Sequence, residues 1–203
     1  LPSTTLFRSS LLYNTQPADN SRLLIASSAN AVAFSGTLLI LDQMWYQQYP
    51  RTQFHFHNDL HDWMQMDKLG HTVSSHRFSH LSYYSFRWAG LYNRRSALWG
   101  SISGTMIIST IEILDGFSAQ WGFSWADMGA NLVGSASFLS QQLLWGEQKI
   151  MWKYSYSRTG IEQYRPGMFG ASLAENLIKD YNGHTFWISA NLSSLLGLPD
   201  GFP

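Results

Sequence analysis

The chain has 203 residues, 45% of them hydrophobic and only 13% charged, with 13 Lys plus Arg balanced by 13 Asp plus Glu. That is enough chain for one domain with a substantial core, and its composition is too apolar for intrinsic disorder. The balanced charge supplies no basic field for a phosphate backbone, which argues against nucleic acid as a partner, and the absence of Cys excludes disulfides, thiolate zinc sites and cysteine nucleophiles.

The sequence opens on Leu1, and Thr4 to Ser9 resembles the translation of a sequencing-adapter read. We therefore expect a fragment, with residues 1–20 as a tail whose first nine positions are left out of fold reasoning. From Leu23 to Leu41 the chain is apolar and uncharged, broken only by small polar residues such as Ser27, Asn30 and Thr37. About 19 helical residues rise roughly 28 Å, which suits either a membrane span or a helix buried in a bundle. Asp42, Trp45, Tyr46 and Tyr49 follow in the manner of an interface belt, and Pro50 stops the helix.

A polar, aromatic connector from His55 to Asp62 leads into a second helix expected from near Asp59 to Trp88. After a turn around Gly90 to Arg95, a third is expected over Ser96 to Leu114, where Gly100-Ser-Ile-Ser-Gly104 provides a face on which another backbone can approach closely. Ser124-Trp-Ala-Asp127 reads as a capping box opening a fourth helix through Trp145, with Ala130 and Gly134 repeating the small-residue spacing. Beyond Gly146, alternation through Trp152, Tyr154 and Tyr156 predicts a short strand, broken by Arg165-Pro166-Gly167. A short helix over Ser172 to Tyr181 and a second strand over Thr185 to Ser189 complete the chain. The expected fold is mainly α: a bundle of about four long helices over 21–148, partly membrane-like, and a small appendage over 149–203 with a short helix and two short strands.

Three pairs of polar side chains interrupt the apolar helices. Asp67 and His71 lie four apart, on one helix face and one turn from each other, where the carboxylate can orient an imidazole base or both can ligate a cation. Glu112 and Asp115 sit in or just beyond the apolar run from Met106, with no basic residue three or four positions from Glu112. A carboxylate there is costly to bury unless paired, protonated or metal-bound. Asp127 and Asn131 form the third pair, although Asp127 is also the last residue of the capping box. Converging in a bundle, the six residues would make an oxygen-rich site suited to Mg, Mn or Ca, a metal-free acid/base site, or a structural polar network.

The stretches Trp45-Tyr-Gln-Gln-Tyr-Pro50, Phe54-His-Phe-His-Asn-Asp59, Gln65-Met-Asp-Lys-Leu-Gly-His71, Ile111-Glu-Ile-Leu-Asp-Gly-Phe-Ser118, Gln141-Gln-Leu-Leu-Trp145 and Lys179-Asp-Tyr-Asn-Gly183 resemble a bacterial family known as domain of unknown function 2279, described as predicted periplasmic lipoproteins. The resemblance covers nearly the whole chain after about Leu11. It implies a Gram-negative envelope protein made with an N-terminal signal and continuing past this C-terminus. A lipid-bearing Cys would have to precede Leu1. The order Asp67-Lys68-x-x-His71, Glu112, Asp127-x-x-x-Asn131-x-x-Gly134 is also similar to that of VanZ-like membrane proteins, which implies one site within a membrane-associated bundle.

Two functions remain open at this point. The first is a structural or interaction protein of the cell envelope, at the periplasm or the periplasmic face of a membrane, partnered by membrane lipid or an envelope membrane protein. The second is an enzyme acting on a lipid or cell-wall precursor. In it His71 is the base, Asp67 its orienter, and Glu112, Asp115, Asp127 and Asn131 a metal or polar cluster holding a divalent ion.

Overall fold

The computed structural model describes residues 18–44 and 46–198. The adapter-like run, Trp45 and the last residues from 199 onward lie outside the described residues. Four long helices form the body: α1 (Asn20–Met44), α2 (Met66–Trp88), α3 (Asn93–Asp115) and α4 (Trp125–Leu144). The appendage adds β1 (Ile150–Tyr156), α5 (Pro166–Phe169), α6 (Leu173–Lys179), β2 (His184–Ala190) and α7 (Leu192–Leu196). The mainly α bundle with a two-stranded C-terminal piece is as the sequence indicates. The extra short helices form where Pro166 opens a helical turn and where the Asn191 side chain caps the Ser194 N–H.

α2 is the central helix and packs on α1, α3 and α4. Its contacts with α3 and α4 are close because the facing residues are small. Gly100 and Gly104 of α3 lie against the backbone of Ser75, Ser79 and Tyr83, and Gly134 of α4 lies against Thr72. A hydroxyl seam fills the junction. Ser135 bonds to Ser75 and Ser79 of α2 and accepts the Thr105 hydroxyl at 2.7 Å, while the Ser75 hydroxyl donates to the Asn131 carbonyl at 2.7 Å. Among the described residues, polar side chains outnumber apolar ones in the fully buried set. The apolar side chains are turned outward instead, with Leu24, Val32 and Leu39 of α1 and Met106 of α3 each at least 60% exposed. α1 and α3 are both long and apolar enough to cross a membrane; only 6% of the α1 window is buried, against 39% for α3.

The second helix starts later than its sequence pattern suggests, at Met66. Trp63, Met64 and Gln65 adopt left-handed φ angles of 50°, 51° and 65°, a conformation costly for side chains of this size. The kink turns the preceding segment back over the end of the bundle, where Phe56 bridges to Phe123 and Arg51 to Ser118. In the appendage, β1 and β2 pair antiparallel with Ile150 opposite Ala190 and Tyr156 opposite His184. This hairpin is fixed along the bundle: the Arg77 guanidinium donates to the Trp152 carbonyl at 2.8 Å, and the Trp152 indole to Ser137 at 3.2 Å.

Candidate functional site

The three polar pairs meet at one end of the bundle. α2 contributes Asp67, Lys68 and His71 from its first turns, α3 contributes Glu112 and Asp115 from its last, and α4 contributes Asp127 and Asn131 from its first. The antiparallel order of the three helices makes this possible, since the start of α2 and of α4 share an end with the finish of α3.

His71 is the pivot. Its Nδ1 lies 3.0 Å from Asn131 Oδ1, so Nδ1–H donates to the amide oxygen and Nε2 is turned toward the carboxylates. Nε2 is 3.3 Å from Glu112 Oε1 and 3.7 Å from Asp67 Oδ1. Orientation of the imidazole therefore falls to Asn131, while Asp67 is held from elsewhere. Its Oδ1 accepts the Tyr181 hydroxyl at 2.7 Å, and its Oδ2 lies 3.3 Å from the Lys68 ammonium. Lys68 also pairs with Asp127 at 2.8 Å and with Asp59. Asp59 in turn accepts the Ser124 hydroxyl at 2.6 Å.

The capping box at Ser124 is half formed. Ser124 Oγ accepts the Asp127 N–H at 3.1 Å, but the Asp127 carboxylate turns to Lys68, and Glu112 Oε2 reaches across from α3 to the Ser124 N–H at 3.4 Å. Asp115 accepts the Tyr46 hydroxyl at 2.8 Å. Glu112 is 1% exposed and its other oxygen, Oε1, has no hydrogen bond; Asn131 is fully buried and its Nδ2 has none either.

Five carboxylates thus surround one fixed ammonium in a mostly buried site, and protonation reflects it. Burial, then the charges of Asp127 and Asp115, pushes Glu112 up to about 10. Burial likewise lifts Asp115 to about 7, and burial with the Asp67 charge lifts Asp127 to about 8. Asp59 moves the other way: burial opposes ionisation, but hydrogen bonding with Asp127, Lys68 and Ser124 holds it at about 2. The Lys68 ammonium is raised above the ordinary lysine range despite burial, because it hydrogen-bonds to Asp127 and Asp59.

Two cavities open onto this centre. A larger one of about 590 Å³ runs between α1, α2, α3 and the appendage and is lined mainly by apolar side chains, among them Leu41, Val73, Phe78, Ile108 and Phe186. A second of about 380 Å³ lies under the connector and the loop after α3 and is lined by polar groups including His57, Asp59, Gln120 and Asp127. Asp67, His71, Asp115 and Tyr181 line both.

Residues 56–142 match the model of a family described as a predicted periplasmic lipoprotein (DUF2279). No curated protein and no solved structure matches the chain. The matched span carries all three pairs together with Asp59 and Lys68, while Tyr46 and Tyr181 fall outside it. The family's description agrees in general terms with an envelope location and states no activity.

All six residues expected from the sequence are brought together. Missing from that set were Asp59, Lys68, Tyr46 and Tyr181. Lys68 had one available signal: it is the basic residue nearest to Asp67 in a helix poor in charge.

Proposed function

We propose that this chain is a cell-envelope protein that rests its apolar outer face against lipid and takes an amphiphilic molecule at the junction of its two cavities, apolar tail in the larger and polar head in the smaller. The observation that carries this reading is the sharing of Asp67, His71, Asp115 and Tyr181 by both cavities. A head group placed there meets His71 Nε2, while the tail meets Val73, Ile108 and Phe186. Pockets of a few hundred cubic ångströms with few, convergent polar groups are the usual form of small-molecule sites. A purely structural brace would satisfy its own members, because each buried polar atom left unpaired costs on the order of 1–3 kcal/mol. Glu112 Oε1 and Asn131 Nδ2 are not satisfied from within the network.

The excess of carboxylates also limits the head group. A bare anion is repelled there, so the head is neutral, cationic or reached through a cation.

Native mass spectrometry on protein extracted from envelope membranes in mild detergent tests the reading. The wild-type chain is expected to retain a bound amphiphile. Gly70 lines the larger cavity, and a Cβ there meets nothing nearer than Phe186 at 3.9 Å, so Gly70→Leu adds an apolar side chain to the wall of that cavity. That variant should keep its melting temperature and lose the amphiphile. Equal retention by both proteins, or an empty wild type, overturns the proposal and leaves the centre as a structural brace.

A further inference from the structure

We propose that Asp67, His71 and Asp127, with Glu112 beside them, bind one divalent cation that takes carboxylate oxygens together with an imidazole, for which manganese is the natural probe. This rests on the reading above, since it names what occupies the same polar centre, but it can fail alone.

One ligand atom from each of Asp67, His71 and Asp127 lies within 4.8 Å of the other two. Donors around a single cation of this size stand about 3 Å apart in cis and about 4.5 Å apart in trans, so a small contraction brings all three into one shell. The ring is oriented as a metal ligand requires: Nδ1–H donates to Asn131 Oδ1, and Nε2, the atom free to ligate, is directed at the carboxylates. Nε2 stands 3.3 Å from Glu112 Oε1 and 3.7 Å from Asp67 Oδ1, so the three atoms converge on one point that a cation can occupy.

A second observation concerns a side chain outside the Asp67, His71 and Asp127 trio. Glu112 is 1% exposed, its Oε1 has no hydrogen bond, and that oxygen is directed at the ligating nitrogen of His71. The Lys68 ammonium neutralises Asp59 and one oxygen of Asp127, and does not reach Glu112.

The donor set selects the cation class. Magnesium and calcium favour shells made wholly of oxygen, and closed zinc sites favour thiolate and several imidazoles. Two or three carboxylates with a single imidazole lie between these and leave positions for water or for an anionic head group. The cation would give the carboxylate-rich centre its means of holding a phosphate or carboxylate on an amphiphile.

Titration of the purified full chain with Mn²⁺, followed by electron paramagnetic resonance, tests this directly. The expected result is one bound ion per chain with nitrogen modulation in the pulsed spectrum, altered on ¹⁵N-histidine labelling. Asp67→Asn, which keeps an oxygen for the Tyr181 hydroxyl, should weaken binding by about tenfold or more. His71→Gln should abolish the modulation. If either variant fails to fold, a protein with His55, His57 and His61 all replaced by Gln must still show the modulation. A folded wild type that leaves the free-ion signal unchanged up to millimolar Mn²⁺, or binds without histidine nitrogen, overturns the proposal. Amphiphile retained in the mass spectrum alongside that result would show that the metal assignment alone had failed.

Discussion

A Cβ added at Gly134 would stand 2.1 Å from the Thr72 carbonyl oxygen, and the Thr72 backbone cannot move aside without shifting the first turns of α2. Those turns carry Asp67, Lys68 and His71, so one missing methyl group fixes the spacing between α2 and α4 on which the site depends. Gly134→Ala is therefore expected to destabilise the chain by about 3 kcal/mol, the upper end of the range for overpacking, and to lower Tm by roughly 10 °C. Gly129, an exposed residue one turn nearer the start of the same helix, has nothing within 4 Å of its virtual Cβ. There Gly129→Ala should stabilise by about 0.5–1 kcal/mol through helix propensity alone. Thermal melts of the two variants check the pair, and equal shifts would show that α4 does not lie this close to α2.

At the scale of the helix, α2 carries two histidines, His76 and His80, whose pH dependence opposes that of the carboxylates α3 and α4 bring against its first turns. His76 and His80 are packed beside Phe138, with Tyr83 and Tyr84 against His80, Ser137 against His76, and Arg77 between them in the chain. Burial first, and Arg77 with it, lowers both imidazoles from 6.5 to about 4, with His80 a further cause for His76. A depressed histidine contributes stability that is complete above pH 6.5 and is lost as pH falls toward 4, because the unfolded chain binds the proton first. The slope is at most about 1.4 kcal/mol per pH unit for each group. The raised carboxylates Glu112, Asp115 and Asp127, on α3 and α4 beside the first turns of α2, work in the opposite sense, so the histidines are best read as a difference. His80→Phe keeps an aromatic ring among Tyr84 and Phe138, and its Tm relative to wild type should rise steadily from pH 7 to pH 4.5. A constant offset would mean that His80 is solvated.

The contrast between the two ends of α2 also separates what was legible in the sequence from what was not. The helices themselves, and the pairs Asp67 with His71 and Asp127 with Asn131, were readable because a four-residue interval projects side chains onto one face. The small residues at Gly100, Gly104 and Gly134 announced close packing for the same reason. Lys68 escaped because neighbouring helical residues point about 100° apart, so adjacency to Asp67 alone does not show that its long side chain returns to the same site. Asp59, Tyr46 and Tyr181 reach the centre from the connector before α2, a 3₁₀ segment and the appendage, and no periodic pattern foretells such an arrival.

For the molecule as a whole, the decisive feature is the inversion of polarity. Ser75, Ser79, Ser101 and Ser135 occupy the helix junctions, while Leu24, Val32 and Leu39 stand 69%, 71% and 65% exposed along α1. In water alone this arrangement wastes the hydrophobic effect, since each exposed large aliphatic chain forgoes roughly 1.5–3 kcal/mol. Against lipid it is reasonable, because association between helices then relies on small residues and hydrogen bonds, which the serine seam supplies. The net charge of zero makes the attraction apolar rather than electrostatic. The chain should consequently co-sediment with uncharged phosphatidylcholine vesicles as well as with anionic ones, and added salt should not release it. Replacing Leu24, Val32 and Leu39 together by Gln removes one side of the α1 surface without touching the cavities. At roughly 1 kcal/mol per side chain, vesicle partitioning should fall by about two orders of magnitude while the fold is retained. Binding that needs anionic lipid and vanishes with salt, or a triple variant that partitions like wild type, would show that the outward aliphatic face of α1 meets something other than a bilayer.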